Sequence, residues 1–278
     1  MLKLMDLLNE GVHDKGIFKA VFMAGGPGSG KTYIKGQLFG IPESGANVSV
    51  GGLKSVNSDR EYMFLLKKYG FDPTMLATYE KQNPDLFHHL SQPASKGGSG
   101  LRDFAQDLKK ARMQGYMNGK LGMIIDSTGS DLSRVKKRKK QLEAQGYDCY
   151  MVFVMTSLET ALKRNTMRAE KGERELPANI VKASWNATRK NLGALKALFG
   201  SNFKQVDNDK HLDPKLAKHK FASLIKKYAN TWVNSPIKNP IGKRWVKDQL
   251  KLQKHGLDKG QIPKMKVTDP PANVRKRR

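Results

Sequence analysis

Five short apolar runs alternate with stretches of helical period along the first three quarters of the chain. The runs are Ile17 to Ala24, Leu53 to Asn57, Leu121 to Asp126, Tyr147 to Met155 and Phe203 to Asp207. Brief runs of this kind between helical segments read as strands of a parallel sheet covered on both faces. The helical stretches fall at Tyr33 to Phe39, Arg60 to Tyr69, Leu101 to Met117 and Asp131 to Gln145, then after Thr156-Ser157-Leu158-Glu159, and from Ala178 to Phe199. In the third of these, Leu101, Phe104, Ala105, Leu108, Ala111 and Met113 share one face at helical spacing. Thr156 to Glu159 has the T-x-x-E form of a capping box, and Pro177 suits the first turn of the helix to Phe199. Met1 to Glu10 reads as a further amphipathic helix covering the sheet edge. The alternation predicts an α/β fold, a parallel sheet flanked by helices.

Two segments interrupt the alternation. Gly40 to Gly52 is rich in Gly, Ser, Pro and Asn. Residues 70–100 hold two short helical patterns, Pro73 to Lys81 and Pro84 to Leu90, and a Gly/Ser connector, Pro93 to Gly100. This insertion either shapes a substrate pocket or is a surface addition.

The first run leads into Gly25-Gly26-Pro27-Gly28-Ser29-Gly30-Lys31-Thr32, which fits G-x-x-x-x-G-K-[ST] in the strand–loop–helix setting that pattern requires. A loop that binds several phosphate charges must point successive backbone N–H groups inward, and glycine lets the backbone approach closely enough. Gly26, Gly28, Ser29 and Gly30 would form that cradle. The following helix adds its positive N-terminus, Lys31 reaches the β- and γ-phosphates, and the Thr32 hydroxyl is placed for Mg²⁺. ATP or GTP with Mg²⁺ is the expected ligand. Two further runs end in acids, at Asp59 and Asp126, and ligands of open α/β sheets sit at that carboxyl edge. Asp59 could instead cap the helix that follows it. Arg164 and Arg168, four residues apart, share one helix face. They precede a charged, glycine-containing segment up to Pro177 with the character of a lid, about 164–177.

Charge adds a second theme. Fifty-one Lys and Arg against 25 Asp and Glu give +26, a balance that favours polyanionic partners. Residues 211–278 carry net +14 of it, with Tyr228, Trp232 and Trp245 among the lysines. That mixture suits nucleic acid, by stacking and phosphate contact, or else the aromatics dock the segment on the core. The run Arg134, Lys136, Lys137, Arg138, Lys139, Lys140 is either a solvated helix face or a phosphate-tracking surface. The lone Cys149 reads as a buried structural thiol, and the six His show no metal-ligand spacing. No apolar run has the length of a membrane span, and the N-terminus does not read as a signal peptide. The chain is thus expected in the cytoplasm, of the host if it is phage-encoded.

GGPGSGKT, VNSD at 56–59, IIDST at 124–128 and LKRNTMR at 162–168 followed by Leu176-Pro177 together resemble the kinase domain of phage polynucleotide 5′-hydroxyl kinases and the related zeta-toxin kinases. The resemblance spans roughly residues 17–207, and its R-N-x-x-R lead into the lid is more selective than the phosphate loop. It implies Lys31 and Thr32 for nucleotide and Mg²⁺, Asp59 as general base for an acceptor hydroxyl, Asp126 as an active-site acid, and Arg164 and Arg168 as lid arginines. Where that family has an Arg three residues after its catalytic Asp, this chain has Tyr62, and Arg60 projects about 200° away from that position. The expected organisation is a P-loop kinase domain over 1–210 and a basic, mainly helical extension over 211–278. Three functions are carried forward: a kinase of nucleic-acid 5′-hydroxyls, a zeta-type kinase of a nucleotide sugar or other small hydroxyl compound, and an ATP-binding nucleic-acid-associated or virion protein without significant turnover.

Overall fold

The computed structural model describes residues 12–41, 48–49, 51–170, 174–209, 223–224 and 229–254. Strands β1 (Lys19–Ala24), β2 (Lys54–Val56), β3 (Met123–Asp126), β4 (Asp148–Met155) and β5 (Phe203–Asp207) form one sheet. It is parallel throughout, in the order β2-β3-β1-β4-β5. Because β1 is central and buried along its whole length, its residues alternate between two cores. Phe22 packs with Met151, Phe153, Leu142 and Phe199 on one face, and Val21 and Met23 pack with Val152, Ile34 and Leu38 on the other. The chain leaves β1 for β2 at one edge and returns to β4 on the other side, so a crevice opens above the carboxyl end of β1. Met23 lies opposite Asp126 in register, which sets that carboxylate beside the phosphate loop.

The helices are α1 (Lys31–Phe39), α2 (Asp59–Lys68), α3 (Leu76–Gln82), α4 (Pro84–Ser91), α5 (Leu101–Asn118), α6 (Leu132–Glu143), α7 (Leu158–Glu170), α8 (Ala178–Lys190), α9 (Leu192–Phe199), α10 (Asn230–Asn234) and α11 (Pro240–Lys254). Residues 70–100 are no loose surface addition, because Tyr62, Leu65, Leu66, Leu76, Leu90 and Ala105 enclose a third core between α2 and α5. Among the described residues no helix is long and apolar enough to cross a membrane. Cys149 is buried in β4, and burial pushes its thiol up, out of nucleophilic range.

Three local expectations are corrected. The α5 stripe is Ala105, Met113 and Met117, whereas Phe104 (54% exposed) and Leu108 (38%) face outward. At 100° per residue these two fall on the far side of that stripe. The helix expected from Ala178 to Phe199 is two, broken at Asn191, whose side-chain amide donates to the carbonyls of Gly129 (3.1 Å) and Ser130 (2.7 Å) instead of staying solvated. Finally, α7 is capped by Ser157, whose Oγ accepts from Thr160 N at 3.2 Å; the Thr156 hydroxyl instead donates to Asp209.

The described part of the C-terminal extension docks on the core. Trp232 is buried and stacks on Tyr150 with centroids 4.9 Å apart, and Trp245 meets Phe18 edge-on at 5.5 Å. Between them the chain closes over a buried ion pair, Lys19–Asp148 at 2.9 Å, where Asp148 also accepts from the backbone N–H groups of Lys238 and Asn239. Lys19 and Asp148 open β1 and β4. The extension therefore lies at the amino edge of the sheet, about 20 Å of strand from the phosphate loop. The helices expected at Met1 to Glu10 and over most of Pro214 to Trp232 lie outside the described residues, and the one expected at Lys243 to Lys254 begins at Pro240. Trp232→Ala should lower the free energy of unfolding by about 3 kcal/mol, the scale for emptying a buried aromatic site. Chemical denaturation measures it, and a loss under roughly 0.5 kcal/mol, typical of a surface site, would show that the stacking does not hold in solution.

Candidate active site

β1 delivers the chain into the loop and α1 leaves it, with the glycines where side chains have no room. Gly28 has φ 74°, and a Cβ there would collide with the Ala161 carbonyl of α7. Gly30 caps α1 at φ 81°, and its missing Cβ leaves space for Asn208, which donates to the Ser29 carbonyl at 2.8 Å. Helix α7 and the segment after β5 thus press on the loop and fix its path. The Lys31 ammonium donates to the carbonyls of Gly25 (2.7 Å) and Gly26 (3.0 Å). Burial lowers its pKa to about 8, Asp126 opposes that, and Arg168 adds to it. Ser29 Oγ and Arg164 Nη1 are buried with no hydrogen-bond partner among the described residues. Arg164 Nη1 lies 3.6 Å from where a Gly30 Cβ would be. Inward-aimed polar groups with no protein partner are what a phosphate chain would satisfy.

Asp126 ends β3 almost fully buried. Its Oδ2 accepts from Lys35 Nζ at 3.2 Å and Asn57 Nδ2 at 3.3 Å, while Oδ1 has no partner among the described residues. Thr32 lines the same cavity. A free carboxylate oxygen beside a hydroxyl fits Mg²⁺, which binds proteins through one or two such oxygens and takes its remaining ligands from water and phosphate. Among the described residues no group of three or more His, Cys, Asp or Glu is placed for an all-protein metal cage.

Asp59 is the first residue of α2, not its cap. Ser58 holds the cap position, and Asn57 Oδ1 accepts the Asp59 N–H at 2.9 Å. The carboxylate is left to two guanidinium groups, Arg174 at 3.3 Å and Arg102 at 3.8 Å. Both lie over the ring of Tyr62, at 4.6 Å for Arg102 and 5.7 Å for Arg174, and the Tyr62 hydroxyl is anchored on the Leu90 carbonyl at 2.9 Å. Cations beside Asp59 thus come from α5 and from the segment before Pro177, with Tyr62 as their seat. Burial alone would raise the Asp59 pKa, but Arg174, Arg102, Lys31 and Lys109 together hold it below the usual value.

Lys31, Thr32, Asp59, Asp126 and Arg168 border one cavity of about 420 Å³, and Arg164 lies alongside it at the loop. Three contributors escaped the sequence reading: Arg102, Arg174 and Lys35. Arg174 stood in the charged lid segment and Arg102 at the start of a clear helix, yet nothing local marks either as a neighbour of Asp59. Because Arg174 is a cause of the low Asp59 pKa, Arg174→Ala should move that pKa upward. The carboxylate would then protonate at higher pH, and the acid limb of the rate profile should shift the same way. Carboxyl NMR titration of both proteins checks the sign, and coincident curves would refute the coupling.

A phosphate loop heading a parallel sheet, with two carboxylates and several guanidinium groups at its carboxyl edge, defines a P-loop phosphotransferase. Over residues 78–213 the chain is similar to the family described as Zeta toxin, a stretch that holds Asp126, Arg164, Arg168 and Arg174. Among solved structures it is similar to one from the PezAT chromosomal toxin–antitoxin system of Streptococcus pneumoniae, with 16% identity, 92% of this chain and 93% of that chain covered, and TM-score 0.44. Shikimate kinase from Acinetobacter baumannii aligns at 12% identity, 78% and 96% coverage and TM-score 0.37. A tunicamycin resistance protein from Deinococcus radiodurans aligns at 16%, 74% and 95%, and 0.38. These are distant likenesses. No curated protein matches the chain.

Proposed function

We propose that the protein transfers the γ-phosphate of ATP or GTP to the hydroxyl of a small acceptor, with Asp59 as general base. The observation that carries this is the placement of Lys31 and Asp59 on one cavity, with Arg168 and Arg174 between donor and acceptor halves. In the step, the acceptor oxygen bonds to the γ-phosphorus, the bond from that phosphorus to the bridging oxygen breaks, and the hydroxyl proton passes to the Asp59 carboxylate. Lys31, Arg164 and Arg168 would balance charge on the transferring group, and a Mg²⁺ ion, held through Thr32 and Asp126, would supply further neutralisation.

The acceptor follows from size and similarity. A cavity of about 420 Å³ has small-molecule dimensions, and similarity to zeta toxins supports a nucleotide sugar or other small hydroxyl compound. A second reading, a 5′-hydroxyl of DNA or RNA, is favoured by the +26 charge, although the described part of the extension sits at the opposite sheet edge. Labelled ATP with a panel of UDP-sugars, small alcohols and 5′-hydroxyl oligonucleotides decides between them. Label in a small compound supports the first reading, label in oligonucleotides alone supports the second, and label in none removes the kinase assignment in favour of an ATP-binding protein without turnover.

A further inference from the structure

The basic run on α6 does not behave as one surface. Lys136, Lys137 and Lys140 face solvent, and Lys139 pairs with Glu143 at 2.5 Å. Arg134 and Arg138, one turn apart, instead line the catalytic cavity, where Lys109 reaches it from the facing helix α5. These three cations are thinly matched. Lys109 donates only to the Asp126 backbone carbonyl, at 3.4 Å, and Arg138 to the neutral Gln141 side chain at 3.3 Å. Arg134 has one exposed contact, with Asp131 on its own helix, at 3.3 Å. Burial lowers the pKa of Lys109 and of Arg138, and Arg134 adds repulsion to both; for Lys109, Asp126 and Asp59 work in the opposite direction.

Around the whole cavity, seven cationic side chains face three carboxylates. A γ-phosphate served by Lys31, Arg164 and Arg168 does not account for this excess on the α5–α6 side. Like charges gathered in a partly desolvated cleft are stabilised when an anion joins them. Met113 and Val135 lie between the cations and would contact the carbon part of the same ligand.

We propose that Lys109, Arg134 and Arg138 form a second anion subsite that holds a phosphate already present on the acceptor, while Asp59 serves its free hydroxyl. The substrate class is then a hydroxyl compound that is itself a phosphate ester, either a nucleoside monophosphate or a sugar linked through a diphosphate. This rests on the kinase reading for the role of Asp59, but the subsite can be measured without turnover.

The test is calorimetric binding to the full chain with the phosphate loop saturated by Mg-ADP, so that the probes cannot occupy the donor site. Adenosine 3′-monophosphate is compared with adenosine, and UDP-glucose with uridine. At least one phosphorylated probe should bind about tenfold or more tightly than its nucleoside, the scale of a lost charged contact, and the better pair identifies the phosphate source. That preference should vanish in Arg134→Ala/Arg138→Ala and fall in Lys109→Gln. It should persist in Lys136→Ala/Lys137→Ala, which removes equal charge from the solvent face of the same helix. Absence of a preference in the native protein, its survival in the double arginine variant, or an equal loss in the lysine control would each overturn the subsite. If phosphorylated probes bind preferentially but accept no label from ATP, the subsite stands and the kinase reading fails. If plain alcohols are phosphorylated as efficiently as their phosphate esters, the kinase reading stands and the subsite fails.

Discussion

Lys31→Ala should reduce phosphoryl transfer by about 10²–10³, the scale for losing one preorganised charge donor at a developing anion. The ammonium touches only the carbonyls of Gly25 and Gly26, so its removal opens no core and the melting temperature should hold within a degree or two. Without a nucleotide, those carbonyls park the ammonium beside the place where phosphate oxygens would lie. Its pKa of about 8 reflects burial without a partner anion, and phosphate binding would restore full charge by supplying one. The loss should therefore be larger in turnover than in nucleotide affinity, because the backbone N–H groups of the loop and Arg164 stay in place. Single-turnover rates and ADP affinity, measured on the same preparation, separate the two quantities. Native turnover in this variant would remove the phosphate loop from the chemistry altogether.

The strands and the phosphate loop were legible because their signals are local. A run such as Ala20 to Ala24 is apolar at every position only if both faces of the strand are covered, and the loop motif spans eight consecutive residues. Arg102 and Arg174 were illegible for the opposite reason. They lie 43 and 115 residues from Asp59 in sequence, and only the third core, which seats Tyr62 beneath both, brings them together. Position three after Asp59 reads as a lost arginine in one dimension, whereas in three the aromatic ring there carries two. Docking of the extension was open for a similar reason. Trp232 among lysines fits a stacking platform for bases or a buried anchor equally well until Tyr150 is placed opposite it. The break at Asn191 escaped because helix periodicity continues through it, and only the carbonyls of Gly129 and Ser130 explain the interruption.

Asp59→Asn should leave nucleotide binding intact and lower transfer by about 10²–10⁴, the contribution of a positioned general base. The substitution keeps size and shape, and it leaves the start of α2 undisturbed, since Ser58 occupies the cap position and the Asp59 backbone N–H is already bonded to Asn57. Were Asp59 only a helix cap, Asn would serve nearly as well and activity would survive. Its charge matters in a second way. Arg102 and Arg174 sit over the same ring with this carboxylate between them, so a neutral amide leaves two guanidinium groups facing each other. Loss of charge at Asp59 should therefore loosen the segment around Arg174 as well as remove the base. Asp59→Ala removes charge and shape together, which sorts the two effects. If the carboxylate acts as base, Asn and Ala should be equally slow in transfer, and both should raise amide exchange near residues 174–177. If its work is only to hold Arg174, raising the substrate concentrations should restore transfer in both variants, because bound ligand would reclose the segment. The native protein should also keep its transfer rate to lower pH than an ordinary carboxylate permits, since the surrounding cations hold the Asp59 pKa down and the base stays ionised. Transfer rates within tenfold of native in Asp59→Asn, at saturating substrates, would exclude proton abstraction by this residue.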